Sequence, residues 1–204
     1  MDAFVVRTEG AKRQKIGGAS DVASSSGRRE PEVYVTLNTD GVVARLVGSS
    51  NSEARPAAGR ALLDHLANVA GAAPDVLLIT EVHIPSAGSS RRGVPATDAV
   101  GSKAERERAE RTAAAVAMLT APESPFAKYA VYFSLHEAHA NAGVCVLLHQ
   151  SVSRPLSVRY SLDRANADGT HHPEGRVVQL SFASCTVLCV YAPNPGAPRF
   201  LAQL

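Results

Sequence analysis

A chain of 204 residues, 45% of them apolar, is long enough for one domain with a sizeable core, and its 15 Gly and 12 Pro mark it as rich in loops. A net charge of +2 argues neither for nor against a polyanionic partner. Three cysteines without zinc-type spacing argue against a disulfide framework, no apolar run approaches membrane-spanning length, and the first residues lack the layout of a secretory leader. The expectation is a soluble, intracellular domain with no membrane contact.

Residues 1–30 read as a disordered tail, basic at Lys12, Arg13 and Lys15 and serine-rich at Ser24–Ser26. The basic cluster is a candidate nuclear address or phosphate-binding arm, although a solvated tail is the plainer reading. Val33–Leu37 is the first clear strand and runs into Asn38-Thr39-Asp40-Gly41. Asn38 and Asp40 are explained as turn formers, yet they also set two oxygen-bearing side chains at a strand end, where a hard cation or a phosphate would want them. Arg60–Ala70 has helical spacing at Leu62, Leu63, Leu66 and Val69, with Asp64 and His65 on its surface. Asp75–Thr80 is an apolar run suited to a strand buried on both faces, and it ends in Glu81-Val82-His83. A carboxylate directly after a buried strand is costly unless solvated, paired or cation-bound, which makes Glu81 the foremost candidate Mg²⁺ ligand.

Ser86–Gly101 reads as a loop and Lys103–Leu119 as a helix whose alternating charges suit a solvated face better than a nucleic-acid backbone. Tyr129–Leu135 and Gly143–Leu148 look like a hairpin, Leu156–Leu162 like a further strand, and Arg176–Phe182 with Thr186–Tyr191 like a second hairpin. His136, His139, His171 and His172 read as loop histidines rather than metal ligands. Cys185 and Cys189 share a strand face and read as core. The last strand delivers Tyr191 and then Asn194 to a Pro/Gly turn, and both side chains can hydrogen-bond a phosphate oxygen. Strand, helix, strand, helix and two hairpins in that order predict an α/β fold, a two-layer β-sandwich flanked by helices.

Four stretches in order, TLNTDG (Thr36–Gly41), PDVLLITEVH (Pro74–His83), AGVCVLL (Ala142–Leu148) with PEGRVVQL (Pro173–Leu180), and VYAPN (Val190–Asn194), resemble the endonuclease/exonuclease/phosphatase superfamily. The likeness covers residues 33–204, with an insertion across about 86–124, so that residues 31–204 are expected to form the N-terminal part of such a domain. Within the superfamily, Glu81-x-His83 and YAPNPGAPRF look most like the endonuclease domain of LINE-type retrotransposons.

The resemblance implies a Mg²⁺-dependent (alternatively Mn²⁺-dependent) phosphodiesterase acting on DNA. Asn38 would orient the scissile phosphate or the attacking water, Glu81 would hold the metal with support from Asp40, and Tyr191 and Asn194 would contact the phosphate. Arg176 would brace the hairpin. Two positions depart from the pattern of repair relatives: Asn141 replaces an aromatic residue, and Thr80 a glutamine. The family's later motifs, Asp-x-Asn, a further aspartate and Ser-Asp-His, have no counterpart in these 204 residues. The expectation is therefore a truncated, inactive form of a DNA-nicking endonuclease. An abasic-site repair endonuclease of the exonuclease III type and a non-catalytic fragment are the alternatives.

Overall fold

The computed structural model describes residues 3–7, 28–41, 54–86, 95–96, 101–136, 142–162 and 174–192. They form eight strands and two helices: β1 (Ala3–Arg7), β2 (Val33–Asn38), α1 (Ala54–Ala70), β3 (Val76–Thr80), α2 (Lys103–Thr120), β4 (Tyr129–Ser134), β5 (Val144–His149), β6 (Ser157–Arg159), β7 (Val177–Ser181) and β8 (Thr186–Val190). A five-stranded sheet runs in the order β1-β2-β3-β5-β4 and a three-stranded sheet in the order β6-β7-β8. Among the described strands β2 and β3 are the pair that runs parallel, with Asn38 opposite Thr80, so both strands end at the same edge.

Period-two alternation splits the core into two layers. Val33, Val35 and Leu37 of β2, Leu77 and Ile79 of β3 and Cys145 and Leu147 of β5 pack against Leu66 of α1 and Met118 and Leu119 of α2. The opposite face of the large sheet, through Val76, Val144, Val146 and Leu148, packs on Val178, Leu180, Val187 and Cys189 of the small one. The order is helices, large sheet, small sheet, as the continuous apolar runs of β3 and β5 require, since each strand is covered on both sides. The predicted two-sheet α/β sandwich is thus observed, with both helices on one face. Among the described residues no helix is long and apolar enough to cross a membrane. Burial raises the Cys145 thiol well above its ordinary pKa and pushes Cys189 up to about 12, as befits core thiols.

Differences from expectation lie mainly at segment ends. The helix expected over 60–70 starts at Ala54, with Pro56 in its first turn, where a missing N–H costs nothing. The helix expected over 103–119 ends one residue later, at Thr120, and opens with a reciprocal cap, in which Ser102 accepts from the Glu105 amide and the Glu105 carboxylate accepts from the Ser102 amide at 2.7 Å. The strand expected over 156–162 narrows to Ser157–Arg159.

The tail assigned to residues 1–30 needs correction at both ends. Ala3–Arg7 adds an antiparallel edge to β2, which its Phe4-Val5-Val6 run favours although five residues are too few to show a period. Arg29 makes a two-pronged contact with the buried Asp75 at 2.7 and 2.6 Å. The same carboxylate accepts the Glu32 and Val33 amides at 2.8 and 3.1 Å, and its hydrogen bonds push the Arg29 guanidinium above its ordinary pKa. Ser153 donates to the Arg29 carbonyl, so residues 28–33 strap the start of β3 to the loop after β5. Lys12, Arg13, Lys15 and Ser24–Ser26 lie outside the described residues, as do His139, Asn141, His171 and His172.

Removing Asp75 strands two backbone donors and a guanidinium. Asp75→Ala is expected to lower stability by about 3 kcal/mol. Arg29→Met, which leaves both amides in place, should cost about 1 kcal/mol. Urea unfolding of the two variants checks the ranking.

Candidate metal and phosphate site

The site sits where β2 and β3 end together. Tyr34 and Leu78 lie on the small-sheet face of the large sheet, and the same parity puts Asn38 and Thr80 there. Strict alternation would send Glu81 to the other face, into the apolar layer with Leu77 and Ile79. It does not go there. Glu81 has a left-handed backbone (φ 54°), which shifts the phase by one residue. Val82 and Ile84, both fully buried, join the helix-side core instead. Glu81 and His83 emerge on the face toward the small sheet, and a charge that would be costly in the core stays partly solvated.

The backbone around this shift is tied on both sides. The Gly41 amide donates to the Glu81 carbonyl at 2.7 Å, and the Thr39 hydroxyl reaches the Thr80 and Glu81 carbonyls at 3.1 and 3.2 Å. Val82 and His83 donate to the Gly143 and Ala142 carbonyls at 3.2 and 3.1 Å, extending the β3–β5 pairing beyond the strands. Gly143 must be glycine: at φ 99° a Cβ would come within 2.8 Å of the Val82 side chain.

Asn38 holds two positions at once. Its carbonyl oxygen accepts the Asp40 amide at 3.2 Å, and its amide nitrogen donates to Glu81 Oε1 at 3.2 Å. The turn-forming and functional readings of Asn38 are therefore compatible. Asp40, Glu81 and His83 each bring a ligand atom within 4.8 Å of the others, and all three have positive φ, at 45°, 54° and 53°.

From the other layer, Val187, Cys189 and Tyr191 share one face by period two, so Tyr191 continues the interlayer face of β8 and its phenol comes beside the Glu81 carboxylate. Burial first, and then the neighbouring Glu81 carboxylate, raise the Tyr191 pKa, so the phenol is protonated and a donor at neutral pH. Arg176 lies over the Tyr191 ring, 5.1 Å from its centroid, and also pairs with Glu174. Backbone bonds link the Tyr191 amide to the Arg176 carbonyl at 2.9 Å. Arg176 does brace the second hairpin.

Four of the five expected site residues, Asn38, Asp40, Glu81 and Tyr191, thus converge. The fifth, Asn194, lies outside the described residues. His83 was not among the expected ligands. Its signal was the alternation Glu81-Val82-His83-Ile84, which puts two polar side chains on one face and two apolar ones on the other. The donor set suits a divalent cation, with two carboxylates and an imidazole in partly solvated positions.

No family model matches the sequence. Among curated proteins the chain is similar to a DNA-(apurinic or apyrimidinic site) endonuclease of Arabidopsis thaliana, at 26% identity over 183 residues, covering 90% of this chain and 45% of that protein. Among solved structures it is similar to an AP endonuclease of Leishmania major (TM-score 0.47, 16% identity, 86% of this chain and 44% of the other). It is also similar to the catalytic domain of APE2 from Xenopus laevis (TM-score 0.44, 16% identity, 83% and 48%). The chain spans less than half the length of each of these proteins.

The hairpin that carries Arg176 and Tyr191 docks through Gly175. At φ 63°, a Cβ there would lie 2.2 Å from the Leu135 carbonyl carbon and 2.5 Å from the His136 amide nitrogen. Gly175→Ala is expected to cost about 3 kcal/mol, from backbone strain and overpacking together. Thermal denaturation measures the loss, and amide exchange should report it first in β7 and β8.

Proposed function

We propose that this chain carries the cation- and phosphate-binding half of a divalent-metal-dependent DNA phosphodiesterase site. The observation that carries this reading is the meeting of Asn38, Asp40 and Tyr191 around the Glu81 carboxylate, delivered from the ends of three strands in two sheets. Glu81 is the principal ligand for Mg²⁺, and Asp40 supports it. Bound there, the cation would polarise a phosphoryl oxygen and neutralise charge on the leaving oxygen. Asn38 already donates to Glu81 and so fixes the carboxylate, while its amide lies within reach of a phosphate held beside it. Tyr191, protonated at neutral pH, donates toward charge developing on the phosphate, with its ring steered by Arg176. Asn194 is a second phosphate contact in the same proposal.

Two finer readings differ in substrate. The Arabidopsis relative, named for its action on apurinic or apyrimidinic sites, supports a repair endonuclease that cuts at abasic positions. The Glu81-x-His83 and YAPNPGAPRF motifs support a LINE-type endonuclease that nicks intact duplex. In both, the later Asp-x-Asn and Ser-Asp-His motifs supply the remaining catalytic groups, so the 204 residues alone are expected to bind DNA without cutting it.

The test combines anisotropy and plasmid nicking at one fixed salt concentration, because phosphate contacts make affinity salt-dependent. The expected result is Mg²⁺-dependent binding of duplex DNA, weakened about tenfold by Glu81→Gln, with nicking no greater than that variant's. Binding indifferent to both Mg²⁺ and Glu81 would overturn the site. Robust nicking that depends on Glu81 would overturn its incompleteness. Preference for a duplex with an abasic analogue supports the repair reading, and equal binding of intact duplex supports the retrotransposon one.

A further inference from the structure

We propose that His83 is a third inner-sphere ligand of the cation, and that it tunes the site toward Mn²⁺ and similar borderline cations over Mg²⁺. This rests on the reading of Glu81 as a cation ligand and adds a residue that the resemblance leaves without a role. Ligand atoms about 2.1 Å from one centre stand about 3 Å apart when adjacent and about 4.2 Å when opposite. The donors of Asp40, Glu81 and His83 lie within 4.8 Å of one another, so a small adjustment brings all three onto one ion. The imidazole has little choice of direction. Its chain neighbours Val82 and Ile84 are fully buried in the helix-side core, and its own amide is bonded to the Ala142 carbonyl. It therefore emerges where Glu81 and Asp40 emerge. Its partial exposure leaves room for the waters that complete a coordination shell.

The chemistry of the set follows from its donors. Two carboxylates carry two negative charges and a neutral imidazole none, so a dication is balanced. Mg²⁺ favours oxygen donors and keeps its water, whereas Mn²⁺, Co²⁺ and Zn²⁺ accept an imidazole nitrogen. The nitrogen should thus strengthen the second group and leave Mg²⁺ nearly indifferent.

Mn²⁺ titrated into the full chain and followed by electron paramagnetic resonance gives the affinity. Electron spin echo modulation reads ¹⁴N coupling from a coordinated imidazole. The expected result is one bound Mn²⁺ with nitrogen coupling, and Glu81→Gln should abolish that binding. His83→Gly should lose the coupling and weaken Mn²⁺ about tenfold or more, while Mg²⁺ affinity, measured by competition, changes less than about twofold. Its thermal midpoint should hold or rise, because glycine accepts the left-handed backbone freely. His83→Asn, with a residue that also tolerates that conformation, repeats the test on a second background. Mn²⁺ held through Glu81 but without nitrogen coupling, or with coupling that survives in either variant, would overturn the role of His83 alone. Absence of any Mn²⁺ binding would overturn the Glu81 reading as well.

Discussion

The arrangement depends on a change of phase at the end of β3. Through Ile79 the strand alternates strictly between the two layers. Were that alternation to continue, Glu81 would enter the helix-side core and Val82 would face the site. The left-handed residue at Glu81 exchanges these positions. Such a backbone costs on the order of 1 kcal/mol for a residue with a side chain, and Asp40 and His83 carry the same strain nearby. The bonds from Gly41, Thr39, Gly143 and Ala142 and the burial of Val82 and Ile84 offset it. Strain at candidate ligands, held by packing beneath them, fixes the backbone from which those side chains project.

The layering explains why the site lies where it does. β5 is buried along nearly its whole length and belongs to both cores. It fixes the small sheet against the large one, and β8 then brings Tyr191 over the ends of β2 and β3. Asp75 governs the other end of β3. Its carboxylate gathers the Arg29 guanidinium and two strand amides, so a charge buried at the start of the strand is fully partnered there. The polar groups at the two ends of β3 thus serve different purposes, one anchoring the chain and the other presenting donors.

Much of this was legible in the sequence because buried strands announce themselves. VLLIT, GVCVLL and TVLCV have few polar interruptions, and the polar residues directly after two of them, Glu81 and Tyr191, are natural suspects. Asn38 and Asp40 were legible for two reasons at once, as turn formers and as oxygen donors. What escaped was non-local or conformational. Asp75 stands in the sequence only as the first residue of an apolar run, because its partner Arg29 is 46 residues away in a stretch with no period. Ala3–Arg7 is too short to show alternation. The alternation Glu81-Val82-His83-Ile84 pairs His83 with Glu81, but which layer that pair faces is hidden, since nothing in a Thr-Glu-Val-His string states that the glutamate adopts a left-handed backbone.

Tyr191 and Glu81 come from different sheets and meet at the candidate site, so the site is also a polar meeting point between layers. Among the described residues the sheets also meet at Tyr34 Oη and Cys185 Sγ, 3.9 Å apart, and through apolar contacts, which are strong but not directional. A ligand that engages the carboxylate side and the phenol side together binds both sheets at once. By mass action it favours the closed sandwich over any state in which the sheets have parted. Occupancy and interlayer cohesion are then two readings of a single equilibrium, and a substitution deep between the sheets can reach the site without touching any residue in it.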